Sequence, residues 1–114
     1  MPLPTFTMRA SDGALIGEPI PYHSLNISVA DAPMVLALHK DAHEHWVVSD
    51  PVTGARVTIV SGQYLGIATS SVGMDVREIR TLAARQVAAL ISRTGAERFM
   101  ATIERARRAY GVAA

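Results

Sequence analysis

"YHSLNISVADAPMVLALHKDAHEHWVVSDPVTGARVTIVS", residues 22–61, is the stretch whose reading decides the fold. Leu25, Ile27 and Val29 alternate with Ser24, Asn26 and Ser28, the period of a strand with one face buried. "MVLALH" then places Met34, Leu36 and Leu38 on one face. A four-residue loop at 30–33 would pair Val29 with Met34, Ile27 with Leu36 and Leu25 with Leu38, matching apolar to apolar. "HWVVS" follows, with Trp46 and Val48 on one side. A three-residue loop, Asp41-Ala42-His43, sets Leu38 opposite Trp46, Leu36 opposite Val48 and Lys40 opposite Glu44. That register turns Trp46 toward the centre of the core and makes His39 and His45 cross-strand neighbours on the other face. "DPVTG" is a turn by its chemistry, with Asp first, Pro second and Gly closing it. A loop at 51–54 pairs Val48 with Val57 and Trp46 with Ile59. Strands at 22–29, 34–40, 44–50 and 55–61 therefore read as an antiparallel meander.

Upstream, "TFTMRASDGALIG" reads as a further hairpin, with Phe6 and Met8 inward and Ser11-Asp12-Gly13 as its turn. "EPIP" separates it from the meander. Downstream, residues 62–74 are Gly- and Ser-rich and read as a connection. Val76, Ile79, Ala83, Val87 and Leu90 then recur at helical spacing, and Asp75 with Glu78 marks the start. Thr94 with Glu97 suggests a second capping box, followed by the stripe Phe99, Ile103, Ala106 and Tyr110, with Gly111 as the stop. A sheet with one apolar face and two amphipathic helices need one another for burial. The expected fold class is α+β, an antiparallel meander of four strands with an N-terminal hairpin, followed by two C-terminal helices packed on its apolar face. The reading is one domain over 1–114, with an N-terminal segment at 1–21, the meander at 22–61, the connection at 62–74 and the helical pair at 75–111.

Composition narrows the chemistry. The 114 residues are 49% hydrophobic and contain no cysteine, which removes disulfides, thiolate catalysis and Cys-ligated zinc. The first residues have neither a basic nor an apolar signal region, and no apolar run reaches the ~18 residues of a transmembrane helix. A soluble cytoplasmic protein with no membrane partner is the expectation. Net charge is +1, unevenly spread: residues 1–70 hold three bases and six acids, and residues 71–114 hold eight arginines and four acids. Such a split hints at an acidic or polyanionic partner for the second half.

Three sets of residues are candidates for function. His39, His43 and His45 could hold a divalent metal through imidazole nitrogens. Their spacing matches no standard metal motif, and a solvated hairpin tip is the ordinary alternative; no cofactor is expected otherwise. Arg98, Arg105 and Arg108 gather on one side of the second helix, with Arg77 and Arg85 exposed on the first. They suit carboxylate or phosphate forks and hence a nucleic-acid-associated regulator. Val35, Ala37, Val47 and Val60 would form a partly apolar patch on the outer sheet face unless the N-terminal residues cover it. No G-x-S-x-G, phosphate loop or carboxylate pair is present, so no catalytic residue and no enzymatic role is expected. The leading expectation is a small non-enzymatic protein, acting through a protein partner or self-association, as inhibitors and adaptors of bacteria and their mobile elements do. The alternatives are nucleic-acid regulation and metal binding.

Overall fold

The computed structural model describes residues 3–10, 14–41, 45–60, 62–64, 67–69 and 75–109. Its elements are β1 (Thr5–Arg9), β2 (Leu15–Pro21), β3 (His23–Val29), β4 (Ala32–Lys40), β5 (Trp46–Ser49), β6 (Arg56–Ile59), β7 (Gly62–Tyr64), β8 (Ile67–Thr69), α1 (Val76–Thr94) and α2 (Ala96–Ala109). The fold is α+β. An antiparallel meander ordered β3-β4-β5-β6 follows the β1–β2 hairpin and precedes the two helices. The stretch read as a plain connection contains a small antiparallel pair, β7–β8.

The faces of β3, β4 and β5 are as the alternation dictates, but both registers differ by two residues. Ile27 pairs with Met34, Leu25 with Leu36 and Val29 with Ala32. The connection is a two-residue turn at Ala30-Asp31, both at positive φ (50° and 66°), the twist that suits a tight hairpin. A shift of two keeps every side chain on its face, so burial alone could not choose between these pairings. Between β4 and β5, Leu38 faces Val48, His39 faces Val47 and Lys40 faces Trp46. The expected pairings of Leu38 with Trp46, His39 with His45 and Lys40 with Glu44 are thus replaced. Asp41 closes the longer loop, its N–H donating to the His45 carbonyl at 2.8 Å.

In β6 the difference changes faces. Val48 pairs with Thr58 and Ser49 with Arg56, leaving Val57 as an extra residue in a bulge. Beyond the bulge Ile59 turns outward and is exposed, while Val60 enters the core. The core joins Leu25, Val29, Leu36, Leu38, Val48 and Val60 of the sheet side to Ile79, Ala83 and Val87 of α1 and Phe99 and Ile103 of α2. Trp46 packs at its margin, half-buried, rather than at its centre.

Asp75 caps α1 as expected, its carboxylate accepting the Glu78 N–H at 2.8 Å. Thr94, expected to cap α2, is instead the last residue of α1. Gly95 makes the break: at φ 95° its N–H donates to the Ile91 carbonyl, and its own carbonyl accepts the Phe99 N–H that starts α2. A residue with a Cβ reaches that φ only at a cost, whereas glycine does not. Ala106 is half-buried on the α2 stripe; Tyr110 and Gly111 lie outside the described residues.

The N-terminal hairpin folds over the outer face of the meander. β2 runs through the "EPIP" segment rather than ending before it, and Tyr22 N–H continues the ladder to the Pro4 carbonyl. The expected turn at Ser11-Asp12-Gly13 lies outside the described residues; Ala10 N–H to Ala14 carbonyl, at 2.8 Å, closes the hairpin around it. Phe6 is buried, with its ring edge-on to His39 at 4.9 Å between centroids. Met8, expected inward with Phe6, is partly exposed, yet its backbone passes so close to Gly54 that a Cβ there would sit 3.1 Å from the Met8 Cα.

Candidate functional site

Of the outer-face patch expected to meet a partner, Ala37 and Val47 are fully buried and Val60 is in the core. Burial of the first two accompanies the docked hairpin, and that of Val60 follows from the β6 bulge. Only Val35, joined by Ile59, is exposed there.

The histidines also separate. His39 lies on the outer face of β4, 7% exposed. Its Nδ1–H donates to the Lys40 carbonyl at 3.1 Å, which leaves Nε2 to accept the Ser49 hydroxyl proton at 2.8 Å. His45 is exposed, its backbone N–H donating to the Asp41 carboxylate at 2.9 Å, and His43 lies outside the described residues. Among the described residues no three His, Asp or Glu side chains come together as a metal site. The His39–His45 half of the expected metal cluster is therefore not assembled, because the register places Val47 rather than His45 opposite His39.

Burial pushes the His39 imidazole below its ordinary value, an effect partly opposed by the bond to Lys40, reinforced by the Arg56 charge and opposed again by Asp41. The unfolded chain would take up this proton near pH ~6.5 and the folded chain only lower. Stability from neutral His39 is thus fully present above ~6.5 and declines as pH falls from there through the depressed folded pKa. Thermal midpoints measured from pH 7.5 to 5 should fall more steeply for the wild type than for His39→Gln. Parallel curves would show that His39 is not held neutral.

Around this imidazole lies a crevice of about 800 Å³ between the hairpin and the sheet. Phe6, Met8 and Ile20 form one wall. Arg9, Lys40, Asp41 and Arg56 surround the other, with the hydroxyls of Ser49 and Thr53. Arg56 and Asp41 approach to 3.9 Å, and the Lys40 ammonium lies 5.5 Å from the Trp46 ring centre.

Arg77, Arg85, Arg98, Arg105 and Arg108 are all exposed, as expected. Arg107, not singled out from sequence, has the structural role. Its Nε–H and Nη2–H donate to the two oxygens of Asp50 at 3.1 and 3.0 Å. Asp50, 1% exposed, also accepts the Val52 N–H and the Thr53 hydroxyl. A carboxylate read only as a turn former therefore ties the β5–β6 turn to α2. The signal was present: Phe99, Ile103 and Arg107 fall at successive i+4 positions, so Arg107 sits on the buried stripe.

No family model, no curated protein and no solved structure matches this chain. No helix among the described residues is long and apolar enough to cross a membrane.

Proposed function

We propose that the protein acts by binding a protein partner, a second copy of itself being the simplest, through the free end of the β1–β2 hairpin. The observation that carries this reading is the exposure of Leu15 (63%) and Ile16 (53%). Consecutive strand residues point to opposite sides, so exposure of both leaves apolar surface uncovered on either side of β2, while Met8 of the neighbouring β1 packs against Gly54. Leu3 and Met8 add further exposed apolar surface on the same segment. An isolated two-stranded hairpin is marginal in water, and a partner laid on it would bury what the sheet leaves uncovered. Pro19 and Pro21 lack N–H donors, so the side chains of β2 rather than its edge are the contact. An inhibitor or adaptor role is compatible with such a surface.

Sedimentation velocity over a concentration series tests the self-association arm. The wild type should show a concentration-dependent shift that Leu15→Lys/Ile16→Lys abolishes, with an unchanged denaturation midpoint, since exposed substitutions cost under ~0.5 kcal/mol. An unshifted wild type rejects self-association and leaves a different protein as the partner.

The second reading, nucleic-acid binding, is favoured by the common side of α2 shared by exposed Arg98, Arg105 and Arg108. It requires affinity for nucleic acid that falls steeply with salt and is lost in the triple glutamine variant. Affinity indifferent to both removes it.

A further inference from the structure

We propose that the open edge of β3 takes up an extended acidic peptide segment of a partner protein as a fifth strand, seated in the groove between that edge and α1. This surface is separate from Leu15 and Ile16 on β2.

β3 is an end strand of the meander, paired on one side with β4. The two-residue turn makes Val29 and Ala32 a hydrogen-bonded pair. In an antiparallel ladder such pairs alternate with pairs whose N–H and C=O groups point away from the partner strand. Val29, Ile27, Leu25 and His23 therefore bond to β4, while Ser24, Asn26 and Ser28 turn their backbone groups to the open edge. Pro33 agrees with this phase: it has no N–H to give, and it stands opposite Ser28 in an outward-pointing pair. Among the described residues nothing bonds the outward groups of those three edge positions.

Edge strands are ordinarily guarded by prolines, charges, bulges or shortness. β6, the opposite edge, has a bulge, an arginine and four residues. β3 has none of these guards. Its seven residues, "HSLNISV", include no proline, lysine, arginine or carboxylate, and its register with β4 is unbroken.

The helix beside this edge sets the class of peptide. Ile79, Ala83 and Val87 hold α1 in the core with Leu25 and Val29. Arg80, Thr81, Ala84 and Arg85 then line a groove of about 590 Å³ with Ser24, Leu25 and Asn26. Thr81 and Ala84 are small, and Arg80 and Arg85 are exposed. No carboxylate lines the groove, and among the described residues neither guanidinium holds a hydrogen bond or ion pair. A strand added here bonds its backbone to Ser24, Asn26 and Ser28 and turns alternate side chains toward α1. Glutamate or aspartate at those alternate positions meets the two arginines. A second copy of β3 fits poorly, because two-fold pairing of the edges would bring the Arg80 and Arg85 pairs of both copies onto one face of the joined sheet.

The test titrates ¹⁵N-labelled protein with the capped peptide Thr-Val-Glu-Val-Glu-Val-Thr. Two further peptides run beside it: one with lysine for glutamate, and one N-methylated at the valines, whose N–H groups would face β3 when the glutamates face α1. The first peptide should shift the Ser24, Asn26 and Ser28 amides and protect them from hydrogen exchange, and both altered peptides should bind about tenfold more weakly or less. Arg80→Gln/Arg85→Gln, at exposed positions, should fold normally and lose about tenfold in affinity, as the loss of charge-assisted contacts does. Arg93→Gln, on α1 outside the groove, should bind as the wild type does. Equal binding by the N-methylated peptide would show charge attraction without strand addition. Equal binding by the lysine peptide, or by the double glutamine variant, would show that the arginines do not select the ligand. Edge amides already protected in the peptide-free protein would put a second copy on β3, and shifts confined to Leu15 and Ile16 would keep the hairpin surface and reject this one. Each of these results overturns the proposal.

Discussion

Asp50→Ala should destabilise the protein by about 3–5 kcal/mol, the cost of breaking a buried ion pair from one side. Asp50 is 1% exposed, and each of its oxygens accepts one bond from Arg107 and one from the β5–β6 turn. Alanine removes all four. The guanidinium, only partly exposed, is left with a poorly solvated charge, and the turn loses the acceptor that orders Val52 and Thr53. In the wild type the bond to Asp50 is what most raises the Arg107 pKa, and even without it an arginine stays charged at ordinary pH, so it cannot relieve the loss by deprotonating. Asp50→Asn keeps the shape and one acceptor, and should cost less than alanine. A urea midpoint for Asp50→Ala within ~0.5 kcal/mol of the wild type would show that α2 is held by its apolar stripe alone.

Leu38→Ala should cost about 2–5 kcal/mol, the range for emptying a fully enclosed leucine site. Leu38 has no exposed surface and lies between His23 and Val48 of the neighbouring strands, in the core shared with the helices. Neighbours on two layers cannot collapse together into the space, so most of the cavity should persist. Trp46→Ala should cost less despite removing more atoms. The indole is half-buried, bordered by the His23 ring at 6.0 Å and the Lys40 ammonium, and solvent already reaches it. Chemical denaturation of both variants decides the order, and a larger loss for Trp46→Ala would move the centre of the core to the sheet margin.

Sequence periodicity carried the reading of the fold a long way. Two amphipathic stripes and a run of alternation were enough for an α+β meander with two helices, because burial acts on faces and faces are visible as spacing. Pairing within those faces was not legible. A two-residue slip leaves Leu25, Ile27 and Val29 inward in either register, and only the positive φ of Ala30 and Asp31 decides between them. Neither residue is the glycine or asparagine that usually announces such a turn. The bulge at Val57 was hidden for the same reason: one extra residue turned Ile59 outward and Val60 inward, against an alternation that ran unbroken in the sequence.

The candidate site was less legible still. His39 is visible as a candidate, but Ser49 reaches it only through the β4–β5 register, and Phe6 only because the hairpin folds across the sheet. The exposed arginines of α2 are legible as a basic side, whereas the tie between Arg107 and the buried Asp50 carboxylate is not. Arg107 reads as one more charge in a basic helix until its position on the stripe is weighed.

Photo-crosslinking in the native cells tests the central claim most directly. A benzophenone amino acid is placed at Ile16, or at Arg98 on the opposite functional candidate, and adducts are identified by mass. The hairpin account predicts a discrete protein adduct, with itself or with one other protein, from Ile16 and none from Arg98. Adducts from Arg98 alone would contradict it and assign the working surface to the arginine side of α2.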